Sequence, residues 1–80
     1  MWNVIDFVYG ETQKENRDNA RAVADFYGVE CHKNEYGYEV RMNDVIRKDF
    51  DNEESIRNAL AKINDKMGTN IMQYDFEIAM

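Results

Sequence analysis

Cys31 and His32 are the pair of residues in this sequence from which thiol or zinc chemistry could arise. Neighbouring residues of a β-strand point to opposite faces, so a strand at this position separates the two side chains. Zinc needs three or four ligands, and the sequence has no second cysteine or histidine. We therefore expect Cys31 to be a small core residue, His32 to be exposed opposite Gly37, and the protein to bind no metal or cofactor.

Acid–base catalysis is the other chemistry that the composition suggests, because sixteen residues are Asp or Glu. It requires two carboxyl groups in environments that separate their pKa values. The carboxylates are spread over positions predicted to face solvent, and only Asp6 interrupts an apolar strand. No phosphate-binding glycine pattern occurs. We expect no catalytic residues, and the chain is not predicted to be an enzyme.

The densest acidic segment is Asp49-Phe50-Asp51-Asn52-Glu53-Glu54, at a predicted strand-to-helix junction. Asp51 and Glu54 have the spacing of a capping box, and Glu53 suits the positive end of a helix. Asp49 has no such structural explanation. The segment is therefore either an ordinary helix start or an acidic surface for a basic partner, and the two interpretations are compatible.

The tripeptide Tyr36-Gly37-Tyr38 is similar to part of the RNA-recognition-motif signature, in which two strand aromatics stack on bases. The similarity ends there, since Glu39 and Arg41 stand where the signature has an aliphatic and an aromatic residue. The net charge of −6 and the pI of about 4.6 also repel a phosphate backbone. We expect no direct binding of nucleic acid.

Helical spacing of apolar residues predicts two helices that position these residues. The first covers residues 12–27, with Thr12 as its cap and Gly28 as its left-handed end. The second is capped by Asp51 and stopped by Gly68. Its apolar stripe consists of Ile56, Ala59, Leu60, Ile63 and Met67.

Strand patterns cover the rest of the chain, at residues 1–9, 29–48 and 72–80. The middle region predicts a three-strand meander with turns at Asn34-Glu35 and Asn43-Asp44. In its first hairpin, the predicted register pairs Lys33 with Tyr36. Cys31 then lies opposite Tyr38, and Glu30 lies opposite Glu39 as a like-charge pair. Met72 and Tyr74 belong to the predicted inner face of the last strand.

The element order β-α-β-β-β-α-β predicts an α+β fold close to the ferredoxin-like plan. We expect one domain over residues 1–80, with an antiparallel or mixed sheet and two helices on one face. The sequence shows neither a signal-peptide pattern nor an apolar stretch near the roughly 20 residues of a membrane span. We expect a cytoplasmic protein that does not contact a membrane.

In size, acidic composition and the Asp-Phe-Asp junction, the chain resembles small phage-encoded inhibitors, including anti-CRISPR and DNA-mimic proteins. The resemblance implies a protein that occupies a basic nucleic-acid-binding surface of a host enzyme, with carboxylates in place of phosphates. The residues expected to bind this partner are Asp49, Asp51, Glu53, Glu54, Glu30, Glu35, Glu39 and Tyr36.

Self-association is the alternative function. A structural or regulatory module of this fold could form a homodimer through a strand edge or the open sheet face. Trp2, Ile5, Phe7 or Tyr9 would then supply an apolar patch. A third option, a sensor of small ligands, needs a pocket that the sequence does not display.

Overall fold

The computed structural model describes residues 3–6, 13–35 and 37–79. Within them the chain forms four β-strands, three α-helices and one 3-10 turn, so the predicted α+β class is confirmed. In chain order the elements are β1 (Asn3–Asp6), α1 (Gln13–Tyr27), β2 (Cys31–Asn34), β3 (Gly37–Met42), α2 (Asp44–Asp49), α3 (Glu53–Met67), the 3-10 turn (Gln73–Asp75) and β4 (Glu77–Ala79).

The four strands form one sheet in the order β2-β3-β1-β4, and all neighbours are antiparallel. One row of paired residues across the sheet consists of Cys31, Val40, Ile5 and Ile78. Val40 is fully buried, and Cys31 and Ile78 pack against the core. Cys31, Val40 and Ile78 therefore lie on the inner face of the sheet, which the helices cover.

The core lies between this inner face and two helices, α1 and α3. The predicted apolar spacing of both helices is confirmed, because each buries one stripe of side chains. Full burial of an aliphatic side chain contributes about 1.5–3 kcal/mol. The buried residues of the two helices include Ala20, Val23, Ala24, Ile56, Ala59, Leu60 and Ile63.

The hairpin of β2 and β3 has a different register from the predicted one. Lys33 pairs with Tyr38 instead of Tyr36, and the loop closes between Asn34 and Gly37. Gly37 has a φ of +152°, which favours glycine and fixes it at the exit of the turn. The prediction was wrong by two residues, because a two-residue shift leaves every side chain on the same face and the apolar pattern cannot detect it.

The observed register also changes the charge pairing on the outer face, the sheet face away from the helices. Glu39 lies opposite His32 and not, as predicted, opposite Glu30. Like charges directly opposite each other destabilise a sheet, so this register avoids a repulsion. Because the register is shifted by two residues, His32 also faces Glu39 and not the predicted Gly37.

The predicted third strand of the meander is wrong, since residues 44–49 form helix α2. The side chain of Asn43 caps this helix by accepting a hydrogen bond of 3.0 Å from the backbone N–H of Ile46. The helix buries Ile46 completely and leaves Val45 64% exposed. Asparagine is equally common in turns and at helix starts, so the sequence did not distinguish the two. In the structure, the bond from the Ile46 N–H to Asn43 Oδ1 stabilises a helix start.

Helix α3 begins one residue later than predicted, at Glu53. Its cap is Asn52, whose Oδ1 accepts a hydrogen bond of 2.9 Å from the Ser55 backbone N–H. The predicted capping box of Asp51 and Glu54 is therefore wrong. Asn and Asp are equally good caps, so composition alone could not choose between adjacent residues.

The C-terminal ends of α1 and α3 are where the sequence predicts them. Gly28 follows α1 with a φ of +68°, and Gly68 follows α3 with a φ of +67°. In this left-handed region a side chain is strained, which is why glycine ends both helices.

The last predicted strand is much shorter in the structure, because β4 covers only Glu77–Ala79. Residues 73–75 form the 3-10 turn, in which the carboxylate of Asp75 accepts a hydrogen bond of 2.7 Å from the Met72 backbone N–H. The prediction that Met72 and Tyr74 face inward is wrong: their exposed fractions are 44% and 72%. Phe76, by contrast, is buried as the alternation predicts.

The side-chain amide of Asn64 explains where that strand is interrupted. Its Oδ1 accepts hydrogen bonds of 2.8 Å from the Ile71 backbone N–H and from the Thr69 hydroxyl. Its Nδ2 donates to the Ile71 carbonyl at 3.0 Å. These three bonds attach the segment after α3 to the helix itself, and the chain joins the sheet only at Glu77.

Several predictions fall on residues that the structure does not describe. These predictions concern the parts of strand 1–9 that lie outside β1 and the Thr12 cap. They also include the roles of Trp2, Phe7, Tyr9 and Tyr36. Among the helices within the described ranges, none combines the length and the apolar character that crossing a bilayer requires.

We predict that Asn52→Ala lowers the free energy of unfolding by about 1 kcal/mol, because the Ser55 N–H loses its acceptor. Asp51→Ala is the matched control and should change it by less than about 0.5 kcal/mol, since Asp51 is exposed and caps nothing. Urea unfolding followed by circular dichroism measures both. An equal loss in the two variants would contradict the assignment of Asn52 as the cap.

Candidate partner-binding surface

Asp49, the acid without a structural explanation in the sequence, has one in the structure. It is the last residue of α2, and its Oδ2 accepts a hydrogen bond of 2.7 Å from the Tyr27 hydroxyl at the end of α1. Burial raises the pKa of Tyr27, and the hydrogen bond to Asp49 and its negative charge raise it further. This bond ties α2 to α1, so Asp49 is part of the scaffold.

Phe50 fixes the junction between α2 and α3. Its ring is 6% exposed and makes edge-on contacts with Tyr27, at 6.4 Å between centroids, and with Phe76, at 5.8 Å. Phe26 continues the cluster with an edge-on contact to Tyr27 at 5.0 Å. Such aromatic pairs contribute about 0.5–1.5 kcal/mol beyond the area that they bury. The junction is therefore held by α1 and by Phe76, the residue before β4.

Three of the predicted binding residues, Asp51, Glu53 and Glu54, are exposed at the start of α3. We call these three residues the acidic junction. Within the described part of the chain, none of the three makes an ion pair, although Arg57 follows Glu53 by one helical turn. Glu53 and Glu54 are favoured by the positive end of the helix dipole. The acidic junction is thus a set of solvated charges on a well-fixed helix start.

The other predicted acids lie on the hairpin of β2 and β3, away from the start of α3 in the chain. Glu30 and Glu35 are exposed, and the Glu30 carboxylate is 3.8 Å from His32 Nε2. Glu39 is half-buried on the outer face, with its carboxylate 3.5 Å from Arg41 Nε. The predicted binding set is therefore divided between two elements, and its last member, Tyr36, lies outside the described residues.

Cys31 and His32 do not form a common site. The Cys31 thiol is half-buried against the core, and burial raises its pKa, which disfavours the reactive thiolate. His32 follows it on the outer face, opposite Glu39. Among the described residues, no group of three or more His, Cys, Asp or Glu side chains could hold a metal ion.

The structure adds a feature that the sequence did not predict, an open groove of about 380 Å³ between α3 and the segment 71–74. Met72 and Tyr74 are exposed at this groove because the 3-10 turn replaces the predicted strand. The available signal was Asp75, three residues after Met72, at the spacing from which a carboxylate caps a turn. The groove is lined by Arg57, Leu60, Ala61, Asn64 and residues 71–74.

Comparison with known proteins gives no family for this chain, since no protein-family model, no curated protein and no solved structure matches it. Its function therefore has to be inferred from the acidic junction, the groove and the scaffold that holds them.

The Tyr27–Asp49 bond predicts a pH dependence. The folded-state pKa of Tyr27 is raised above the ordinary value of 10.0, so its contribution to stability is complete below pH 10 and is lost as the pH rises further. We expect Tyr27→Phe to cost about 1 kcal/mol at neutral pH. The difference in unfolding free energy between wild type and Tyr27→Phe should shrink above pH 10.

Urea unfolding at neutral and alkaline pH measures this difference. The matched control is Tyr74→Phe, which removes a hydroxyl from an exposed ring and should leave stability at neutral pH near that of wild type. If the difference between wild type and Tyr27→Phe stays constant through pH 10, the bond does not hold the neutral form of Tyr27.

Proposed function

We propose that this protein is a binding domain whose acidic junction engages the basic surface of a protein partner. One observation carries the proposal: Asp51, Glu53 and Glu54 are exposed and make no ion pair within the described residues, whereas the preceding Asp49 and Phe50 are used by the scaffold. The chain thus holds the helix start rigidly and leaves its charges for another molecule.

Charge complementarity of this kind acts mainly on the rate and the specificity of association. A net charge of −6 accelerates encounter with a basic partner and disfavours other acidic molecules. Exposed charges are screened at physiological salt over about 8 Å, so such binding weakens as salt is added.

The partner that best fits these charges is a basic nucleic-acid-binding surface, as the resemblance to anti-CRISPR and DNA-mimic inhibitors implies. In this proposal the carboxylates of the acidic junction occupy positions that phosphates otherwise take, and the chain inhibits a host enzyme in the cytoplasm. The acidic balance of the whole chain supports the proposal, because a net charge of −6 attracts basic surfaces and disfavours nucleic acid itself as a ligand.

A ferredoxin-like layout is part of the same proposal. It is supported by the strand order β2-β3-β1-β4, by the antiparallel pairing, and by the packing of α1 and α3 against the core side of the sheet. The short helix α2 is then an addition between β3 and α3.

Self-association remains the second candidate, and one observation favours it. Strands β2 and β4 are the outer strands of the described sheet, and an outer strand can pair with another chain. The register pairs Ile5 with Val40, which is fully buried, and with Ile78. Light scattering separates the candidates: a stable dimer favours self-association.

The proposed function predicts that Glu53→Gln with Glu54→Gln weakens partner binding several-fold and reduces its salt dependence, because two contacting charges are lost. The matched control is Asp25→Asn with Asp65→Asn, which removes the same charge from exposed positions of α1 and α3 outside the acidic junction. Asp49 is unsuitable for this test, since changing it also removes the Tyr27 hydrogen bond.

Immobilised protein exposed to a bacterial lysate, followed by titration of a purified retained protein at several salt concentrations, measures the effect. Added duplex DNA should compete if the partner surface binds nucleic acid. If both double variants bind the retained protein as wild type does, the acidic junction is not the binding site.

A further inference from the structure

The groove beside α3 begins where the acidic junction ends. On a helix, residues three or four apart lie on one strip, which places Glu53, Arg57, Leu60 and Asn64 in line. Arg57, Leu60 and Asn64 line the groove, and Glu53 lies one helical turn before Arg57 on the same strip. The strip from residue 53 to residue 64 is about 16 Å long at 1.5 Å per residue, which is the length of about five extended residues.

The opposite wall of the groove consists of large apolar side chains held in solvent. Met72 is 44% and Tyr74 is 72% exposed. Asp75 and Asn64 fix the backbone of this wall through their bonds to Met72 and Ile71. Because that backbone is fixed, the wall cannot move into the core without breaking these bonds.

The composition of the groove is that of a protein interface. Tyr, Met and Arg are enriched in the centre of interfaces, and Tyr and Arg dominate the residues that carry most of the binding energy. Here Tyr74, Met72 and Arg57 line the groove together with two apolar residues of α3, Leu60 and Ala61. An apolar partner side chain placed in the groove would bury apolar surface on both walls.

We propose that the groove docks an extended segment of the protein partner in which an apolar side chain lies close to a lysine or arginine. The apolar side chain packs between Leu60, Met72 and Tyr74, and the cation reaches Glu53 and Glu54. Arg57, between the two positions, donates hydrogen bonds to backbone carbonyls of the segment. This inference rests on the proposed function and names the chemistry of the partner at the same surface.

Charge complementarity selects this occupant over two others. A second copy of the chain carries the same net charge of −6, and the two acidic junctions would repel each other when both grooves are filled. A small apolar molecule would contact Leu60, Met72 and Tyr74 but leave Glu53 and Glu54 without a ligand. An apolar and basic segment satisfies both ends of the groove.

Selection from a library of short random peptides tests the proposal with a defined probe. Wild type should enrich sequences in which an apolar residue stands within a few positions of lysine or arginine. Met72→Ser with Tyr74→Ser should bind the selected peptides about tenfold less tightly, because the apolar wall opposite α3 is lost. Glu53→Gln with Glu54→Gln should bind them several-fold less tightly and with less salt dependence.

Three results would overturn the proposal. They are enrichment of sequences without cations, equal binding of the selected peptides by the Met72 and Tyr74 variant, and a wild-type dimer in light scattering that this variant disperses. Because Met72 and Tyr74 are exposed, the variant should unfold at the same urea concentration as wild type. That measurement shows whether a loss of binding comes from the groove itself.

The same variants distinguish this proposal from the proposed function. If the Met72 and Tyr74 variant retains the lysate partner while the Glu53 and Glu54 variant loses it, the groove is wrong and the acidic junction stands. If both variants retain the partner, both proposals fail. If only the groove variant loses it, the partner segment is apolar without being basic, which overturns the inference.

Discussion

Burial of the Phe50 ring is the interaction on which the arrangement of the helices depends. The ring contacts Tyr27 of α1 and Phe76, the residue before β4, and its backbone connects α2 to α3. Removal of a buried Phe side chain from a core costs about 3–5 kcal/mol, a large part of the stability of a small domain. The adjacent Tyr27–Asp49 bond holds the same junction in a second way. The start of α3, and with it the acidic junction, is thereby held in place by residues distant in sequence.

The helices were largely predictable from sequence because their signals are local. The apolar stripes of α1 and α3 and the glycines after them follow directly from the spacing of residues. The errors arose where two local signals compete. Asn43 could open a turn or a helix, and Asp51 and Asn52 are equally good caps. In both cases the structure decides through one hydrogen bond from the backbone to an asparagine.

The strands and the candidate site were less predictable because they depend on contacts between distant residues. A two-residue shift of the hairpin leaves the apolar pattern intact, and it becomes visible only in the cross-strand pairs, such as His32 with Glu39. Similarly, Asp49 gains its role from Tyr27, which is 22 positions earlier in the chain. The exposure of Tyr74 accompanies the 3-10 turn that replaces the predicted strand, and the Asn64 bonds to Ile71 hold the chain just before that turn. The charged residues could thus be found from the sequence. The sequence did not show that Asp49 holds two helices together while Asp51, Glu53 and Glu54 are exposed to solvent.

Both asparagine caps are neutral groups, and this has a consequence for acidic solutions. The Oδ1 atoms of Asn43 and Asn52 accept their backbone hydrogen bonds whatever the proton concentration. Carboxylates, by contrast, generally lose their charge near pH 4. Loss of stability in acid should therefore not begin at the starts of α2 and α3, because neither cap bond depends on an ionised group. The Met72 N–H is held instead by the carboxylate of Asp75, so the groove wall, unlike the two helix starts, depends on an acidic side chain for its backbone hydrogen bond.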